Sequence, residues 1–266
     1  MVEGAELLSA AMTAGASIEA VYVAPEGATA PAVVDVTGRI LSQGGRVFDL
    51  APGVMERVAS TVTPQPLLAV VSYTPTPLGA LDGATLVVVC VDVRDPGNLG
   101  TVIRTADAAG ADAVICCDGT VDPTNPKCVR ATAGSLFHLP VIDGGTSAAT
   151  VADLSARSFT TVATVVRGGT DYATFDWTGP VALVLGNEAG GLPHDLVATL
   201  DAGVTIPMAG RSESLNVSVS AAVLCFEALR QRRTPTPPRP SADRSTMSAM
   251  DEVAQRPDGS GGGVIT

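Results

Sequence analysis

Apolar and polar positions divide this 266-residue chain into two patterned regions and an unpatterned end. In the first region, Ala5–Gly15 spaces its apolar residues as a helix does and stops at a glycine, while Ile18–Val23 alternates as a half-buried strand does. Arg46–Leu50 predicts a second strand, Pro52–Ser60 a short helix and Leu67–Ser72 a buried strand; Val33–Leu41 fits neither period clearly. Thr74–Pro77 places two prolines in four residues, which block both helix and ladder and so predict a linker. Residues 1–75 thus read as a small α/β unit, and 76–83 link it to the second patterned region.

From residue 84 the pattern becomes a repeat of strand, loop and helix. Strands are expected at Thr85–Val91, Ala113–Cys117, Thr160–Val166, Val181–Leu185 and Ala202–Pro207, and helices at Asn98–Ala109, Pro126–Ala133, Ala148–Ala156 and Val217–Gln231. Near-continuous apolar β-branched runs alternating with helices imply an α/β fold with a mostly parallel sheet, covered by helices on both sides. From Arg233 the periodicity is lost among prolines, glycines and serines, so 233–266 is expected to be a disordered tail.

Composition narrows the possibilities. No apolar run approaches the roughly 20 residues of a membrane helix, and the opening Met-Val-Glu-Gly lacks the basic stretch of a secretory signal. A cytoplasmic protein without a membrane partner is expected. The five cysteines form no CxxC pair and no zinc spacing, which predicts buried free thiols and no metal site. The net charge of −11, with a single lysine, argues against a general polyanion binder but leaves room for a local positive cleft.

Three loops at the carboxyl ends of expected strands carry unusual polar residues, and that is where parallel sheets bind ligands. The first reads DVRDPGNLGTVIR over Asp92–Arg104. Taken alone it is a helix capped by Asn98, followed by a solvated Arg104 on a face expected to be shared with neither Thr101 nor Ala108. The second, LGNEAGGL over Leu185–Leu192, sets Asn187 and Glu188 among three glycines, which let backbone approach a ligand closely. It is not the dinucleotide fingerprint, which disfavours a Rossmann enzyme. The third, IPMAGRSESLN over Ile206–Asn216, runs into the last helix, with Ser212 or Ser214 as its cap.

In this order and spacing the segments NLGTVIRTADAAGAD, LVLGNEAGGLP and IPMAGRSESLNVSVSAAVLCFEALR resemble the three motifs of the SpoU (TrmH-like) family of RNA 2′-O-ribose methyltransferases, in the SPOUT superfamily. The resemblance covers about 84–232, and 1–72 is similar to the small RNA-binding domain that often precedes this catalytic domain. The chain lacks the basic segment that usually stands before such a VEG.

The resemblance implies a C-terminal trefoil knot, a homodimer formed through the knot region, and S-adenosylmethionine (SAM) as cofactor. The matching cofactor positions are Gly186, Ile206 and Leu215, with Leu185, Asn187, Met208, Thr164 and Val165 as further lining. The matching active-site residues are Arg104, Asn98, Glu188, Ser214 and Asn216. Family practice assigns the arginine to activating the hydroxyl. A guanidinium is a poor base, so clamping a phosphate and stabilising alkoxide charge is the preferred role for Arg104. Asn98 and Ser214 would orient it, and Glu188 and Asn216 would fix the loops. The expected partner is RNA: 23S rRNA first, tRNA as the alternative. A non-catalytic SAM-binding RNA-assembly factor is the competing class, disfavoured by the intact polar set. The cations in or near the motifs are Arg94, Arg104, Lys127, Arg130 and Arg211, while 1–75 holds seven acidic and three basic residues.

Overall fold

The small N-terminal sheet is built from β1 (Val2–Glu3), β2 (Ile18–Val23), β3 (Val47–Asp49) and β4 (Leu67–Val71), in the order β1-β4-β2-β3. Helices α1 (Ala5–Thr13), α2 (Pro31–Ser42) and α3 (Met55–Val58) accompany it. The molecule is a computed structural model that describes residues 1–59 and 61–233; the rest of the expected tail lies outside the described residues. The unclear segment Val33–Leu41 is helix α2. Pro31 opens it, and Val33, Val36 and Ile40 form its buried stripe, spaced as one helical face.

Seven strands form the second sheet, and every neighbouring pair in it is parallel. They are β5 (Leu86–Cys90), β6 (Ala113–Cys117), β7 (Val141–Gly145), β8 (Thr160–Thr164), β9 (Thr170–Asp171), β10 (Val181–Leu185) and β11 (Ala202–Thr205). Their order is β7-β6-β5-β10-β8-β11-β9. The helices are α4 (Pro96–Ala108), α5 (Pro126–Ala131), α6 (Ser147–Ala156), α7 (His194–Val197) and α8 (Val217–Arg232). Every residue of β5, β6 and β10 is buried, as a sheet covered on both faces requires.

Alternation along these strands sorts them into two cores. Leu86, Val88, Leu183 and Leu185 face the side packed by Ala221, Leu224 and Cys225 of α8 and by Leu99 and Ile103 of α4. Val87, Val89, Ala182 and Val184 face Val151 and Leu154 of α6 and Leu196 of α7. The first core continues without a break into Leu7, Leu8, Val21, Val36 and Leu67 of the small unit, so one apolar mass underlies both sheets.

The structure departs from the sequence reading at several points. Thr76, between the two linker prolines, pairs with β7: its N–H donates to the Val141 carbonyl at 3.2 Å. β7 itself escapes the sequence pattern because its residues, VIDGG, lack a strand-like apolar run. Its Gly144 is needed there, since a Cβ would lie 2.7 Å from both Ile115 Cγ2 and Thr150 Oγ1. Helix α4 begins at Pro96, two residues before the expected start. Asp95, not Asn98, is its N-cap, the Asp95 carboxylate accepting from the Asn98 N–H at 2.9 Å. All five cysteines are free and buried, and burial raises every one of these thiols. Among the described residues, no helix is long and apolar enough to cross a membrane.

The packing is testable at two places. A Cβ on Gly100 would lie 2.5 Å from the Cys128 carbonyl oxygen and 2.6 Å from Ala131 Cβ, so α4 and α5 touch through the missing side chain. Gly100→Val is expected to lose about 1–3 kcal/mol of stability by overpacking; an unchanged urea midpoint would contradict this close approach. At the other end, the Arg232 guanidinium donates to the carbonyls of Trp177 (2.7 Å), Gly179 (2.7 Å) and Thr85 (3.0 Å), fastening the end of α8. Truncation after Arg233 should leave the cooperative melt unchanged, while truncation before Arg232 should lower its midpoint.

Candidate active site

Sheet order places the site. β10 lies beside β5, out of chain order, so strands on one side of this pair come from earlier chain and those on the other from later chain. Crevices open at such switch points, outside the carboxyl ends of the strands. Here the loop after β5 meets the loop after β10. The Val91 N–H donates to the Leu185 carbonyl at 2.9 Å as the last rung, and beyond it Asn187 Nδ2 donates to the Asp92 carbonyl at 2.8 Å.

The loop after β10 folds back on itself. Asn187 and Gly191 exchange backbone hydrogen bonds at 3.1 and 2.9 Å, and Asn187 Oδ1 accepts from the N–H groups of Ala189 and Gly190. Two glycines are required for distinct reasons. Gly191 has φ +67°, and a Cβ on Gly186 would lie 2.4 Å from the Gly191 carbonyl carbon and 2.5 Å from the Leu192 nitrogen. In the facing loop Asp92 has φ +56°, a conformation aspartate tolerates better than most residues.

Glu188, at the tip of this turn, ties the three motif segments together. Its Oε1 accepts from Asn98 Nδ2 at 3.0 Å and the Asp95 N–H at 3.3 Å, and its Oε2 accepts from the Arg94 N–H at 3.4 Å. Asn98 Oδ1 in turn accepts from Asn216 Nδ2 at 3.0 Å. Asn216 Oδ1 accepts from the N–H and hydroxyl of Ser218, at 2.8 and 2.6 Å, capping α8. The expected cap residues do not do this: Ser212 instead donates to the Ser214 carbonyl. Partial burial would raise the Glu188 carboxyl, but its hydrogen bonds prevail and hold it below the usual carboxylate range. The network is therefore anionic at neutral pH, and it fails only as pH falls through that depressed value.

Behind the turn lies a cavity of about 330 Å³, within the usual size range of small-molecule sites. All eight residues expected at the cofactor border it: Thr164 and Val165 at the end of β8, Leu185, Gly186 and Asn187 at the end of β10, and Ile206, Met208 and Leu215 after β11. Glu188 and Ser214 also border it; Asn98, Asn216 and Arg104 do not. Arg104 is exposed on α4, and among the described residues no hydrogen bond or ion pair holds it. Thr101 and Ala108 are exposed with it, at helical spacing on the same face, contrary to the face assignment from sequence. Of the other cations in or near the motifs, three face carboxylates: Arg94 with Asp92 (2.8 Å), Lys127 with Asp95 (2.9 Å) and Arg130 with Glu3 (3.9 Å).

Sequence reasoning missed Asp95 and, although it counted Lys127 among the cations near the motifs, the pairing of the two. The Asp-Pro pair before α4 was a usable cap signal, whereas nothing local connects Lys127 to Asp95 across 32 residues.

Comparisons with known proteins identify the family. Residues 85–226 match the SpoU rRNA Methylase family. The chain is 38% identical over 186 residues, 70% of this chain and 73% of the other, to the 23S rRNA (guanosine(2553)-2′-O)-methyltransferase RlmP of Bacillus subtilis (strain 168). It is 39% identical over 151 residues to the 23S rRNA (uridine(2479)-2′-O)-methyltransferase of Streptomyces viridochromogenes, covering 54% of this chain and 53% of that one. Two similar solved structures are the AdoMet-bound rRNA methyltransferase of Sinorhizobium meliloti and the SpoU methyltransferase AviRb of S. viridochromogenes with AdoMet. The first has TM-score 0.75 at 34% identity, covering 87% of each chain; the second has 0.77 at 29%, covering 87% of this chain and 89% of that one. With the family pattern matched over more than half its length and the relative RlmP spanning 70% of it, the chain belongs to the SpoU rRNA methylase family.

Proposed function

We propose that this protein is a SAM-dependent RNA methyltransferase that methylates a ribose 2′-hydroxyl of 23S rRNA in the cytoplasm. The observation that carries the reading is the convergence of three loops on one cavity, with the Glu188–Asn98–Asn216 chain joining them beside it. The cavity fits the cofactor: Val165, Leu185, Ile206, Met208 and Leu215 give apolar walls for an adenine, and the glycine turn keeps backbone at its edge. Bound there, S-adenosylmethionine supplies an electrophilic methyl group.

The chain's own residues have the remaining work. Glu188 and Asn216 fix the loops, and Asn98 and Ser214 orient the ribose and the arginine. A ribose hydroxyl becomes a nucleophile only as its charge is stabilised, and the Arg104 guanidinium supplies that charge while clamping a phosphate. Arg104 stands off the cavity of its own chain, which fits service to a second copy. Val219 and Phe226, 46% and 48% exposed, continue through half-buried Val223 as one stripe on α8, and a second copy covers them. The late insertion of β10 between β5 and β8 supports the family's trefoil knot as the C-terminal topology. In this reading 1–75 binds RNA, 76–83 links, 84–232 catalyses, and 233–266 takes no part in folding.

Two predictions test the assignments. Gly186→Val drives its side chain into the backbone of Gly191 and Leu192, and SAM binding measured by calorimetry should be lost; equal affinity would refute the placement. Arg104→Ala should slow single-turnover methylation of ribosomal RNA by roughly 10²-fold or more, on the scale of removing an oxyanion donor, with the SAM Kd unchanged. Arg104→Lys should rescue little, because a point charge does not reproduce a planar fork. Near-wild-type turnover of the alanine variant would remove Arg104 from the mechanism.

A further inference from the structure

Phe48 is 45% exposed, in a chain with only 3% aromatic residues. It stacks on Tyr22, with ring centroids 5.6 Å apart and planes inclined by 23°. The two residues are direct partners across β2 and β3. β3 is an edge strand of the small sheet, so among the described residues no further strand lies beyond Phe48.

Strand alternation decides what accompanies the rings. Val47 and Asp49 fall on the opposite face, where Val47 packs on the main core. Arg46 and Leu50 fall on the face of Phe48. The floor of that face is Ala24, Met55 and Leu68, against which Tyr22 and Leu50 pack. Met55 comes from α3, which also carries exposed Glu56, Arg57 and Val58. Among the described residues nothing pairs with Arg57, and Arg46 donates only to the Glu19 backbone carbonyl, at 3.0 Å, so no carboxylate pairs with it. The third cation of this unit, Arg39, faces Asp35 at 3.8 Å.

We propose that the Tyr22–Phe48 pair is a stacking platform for unpaired bases of the RNA substrate, with Arg46 and Arg57 meeting the adjoining phosphates. The inference rests on the methyltransferase reading and names where the substrate is held away from the cavity. Aromatic rings accept any base on their faces, and guanidinium groups beside them match the charge of the backbone. An acidic unit can hold RNA in this way because stacking needs no net positive field. Stacking itself is largely independent of salt, whereas the two phosphate contacts carry the salt dependence.

The test uses the full chain, a labelled single-stranded oligouridylate and a blunt RNA duplex. Phe48→Ala should weaken single-strand binding by roughly fivefold to a hundredfold. The slope of log affinity against log salt should stay as in wild type, because no phosphate contact is lost. Duplex binding, SAM affinity and the melting midpoint should not move, and Phe48→Trp should restore binding. Arg46→Ala with Arg57→Ala should instead flatten the salt slope. Wild-type single-strand affinity in Phe48→Ala, or equal weakening toward the duplex, would overturn the platform. Failure of the wild-type protein to methylate ribosomal RNA would sink the methyltransferase reading instead, a result independent of the oligonucleotide titration.

Discussion

The site depends on the register of β10 against β5. Leu185 pairs with Cys90, so the two strands end level and their loops leave the sheet at the same height. Both strands are buried on both faces, and a one-residue slip would exchange the residues facing α8 with those facing α6. Leu183 and Leu185 would then have to fit where Ala182 and Val184 now sit. Packing volume therefore sets the register, and the register sets the meeting of Asp92 with Asn187 and of Glu188 with the start of α4.

Given that meeting, a carboxylate is a better connector than a neutral side chain. Glu188 accepts from one amide side chain and two backbone N–H groups ahead of α4, where the helix dipole also favours negative charge. Hydrogen bonds to a charged acceptor are about twice as strong as neutral ones. The exposed pairs Arg94–Asp92 and Lys127–Asp95 are a different kind of contact, weak in high dielectric and screened by salt. The cap and the carboxylate hold the loops, and the ion pairs only bias them.

Sequence reasoning saw the elements whose apolar runs are flanked by glycine or proline. β2, β6 and β10 fall where alternation or continuous burial placed them. It missed β7 and β9, the first because glycine and aspartate interrupt its pattern, the second because two edge residues carry none. The site was legible as three ordered loops, since each motif is local in the chain. The wiring between them was not. Asn98 reaches Asn216 across 118 residues and Glu188 across 90, and no period records such contacts. Asn98 shows the difference: read as a cap, it leaves the capping to Asp95 and spends its side chain on joining two distant loops.

Net charge also misleads when read as a property of the whole surface. Arg39, Arg94, Lys127, Arg130, Arg157 and Arg230 each stand within 4 Å of a carboxylate, which cancels them locally. Arg104, Arg167 and Arg211 are exposed, and no partner holds them among the described residues. Arg167 follows the cavity-lining Val166, and Arg211 lies between the lining residues Met208 and Glu213. Two of the three, Arg167 and Arg211, thus adjoin cavity-lining residues in the chain, alongside the lining carboxylates Glu188 and Glu213. Such a surface attracts a polyanion weakly from a distance, because the far field follows the net charge. On such a surface a phosphate meets positive charge only at close range. Recognition by shape and unpaired bases, with few phosphate contacts, is the mode that a chain of charge −11 leaves open.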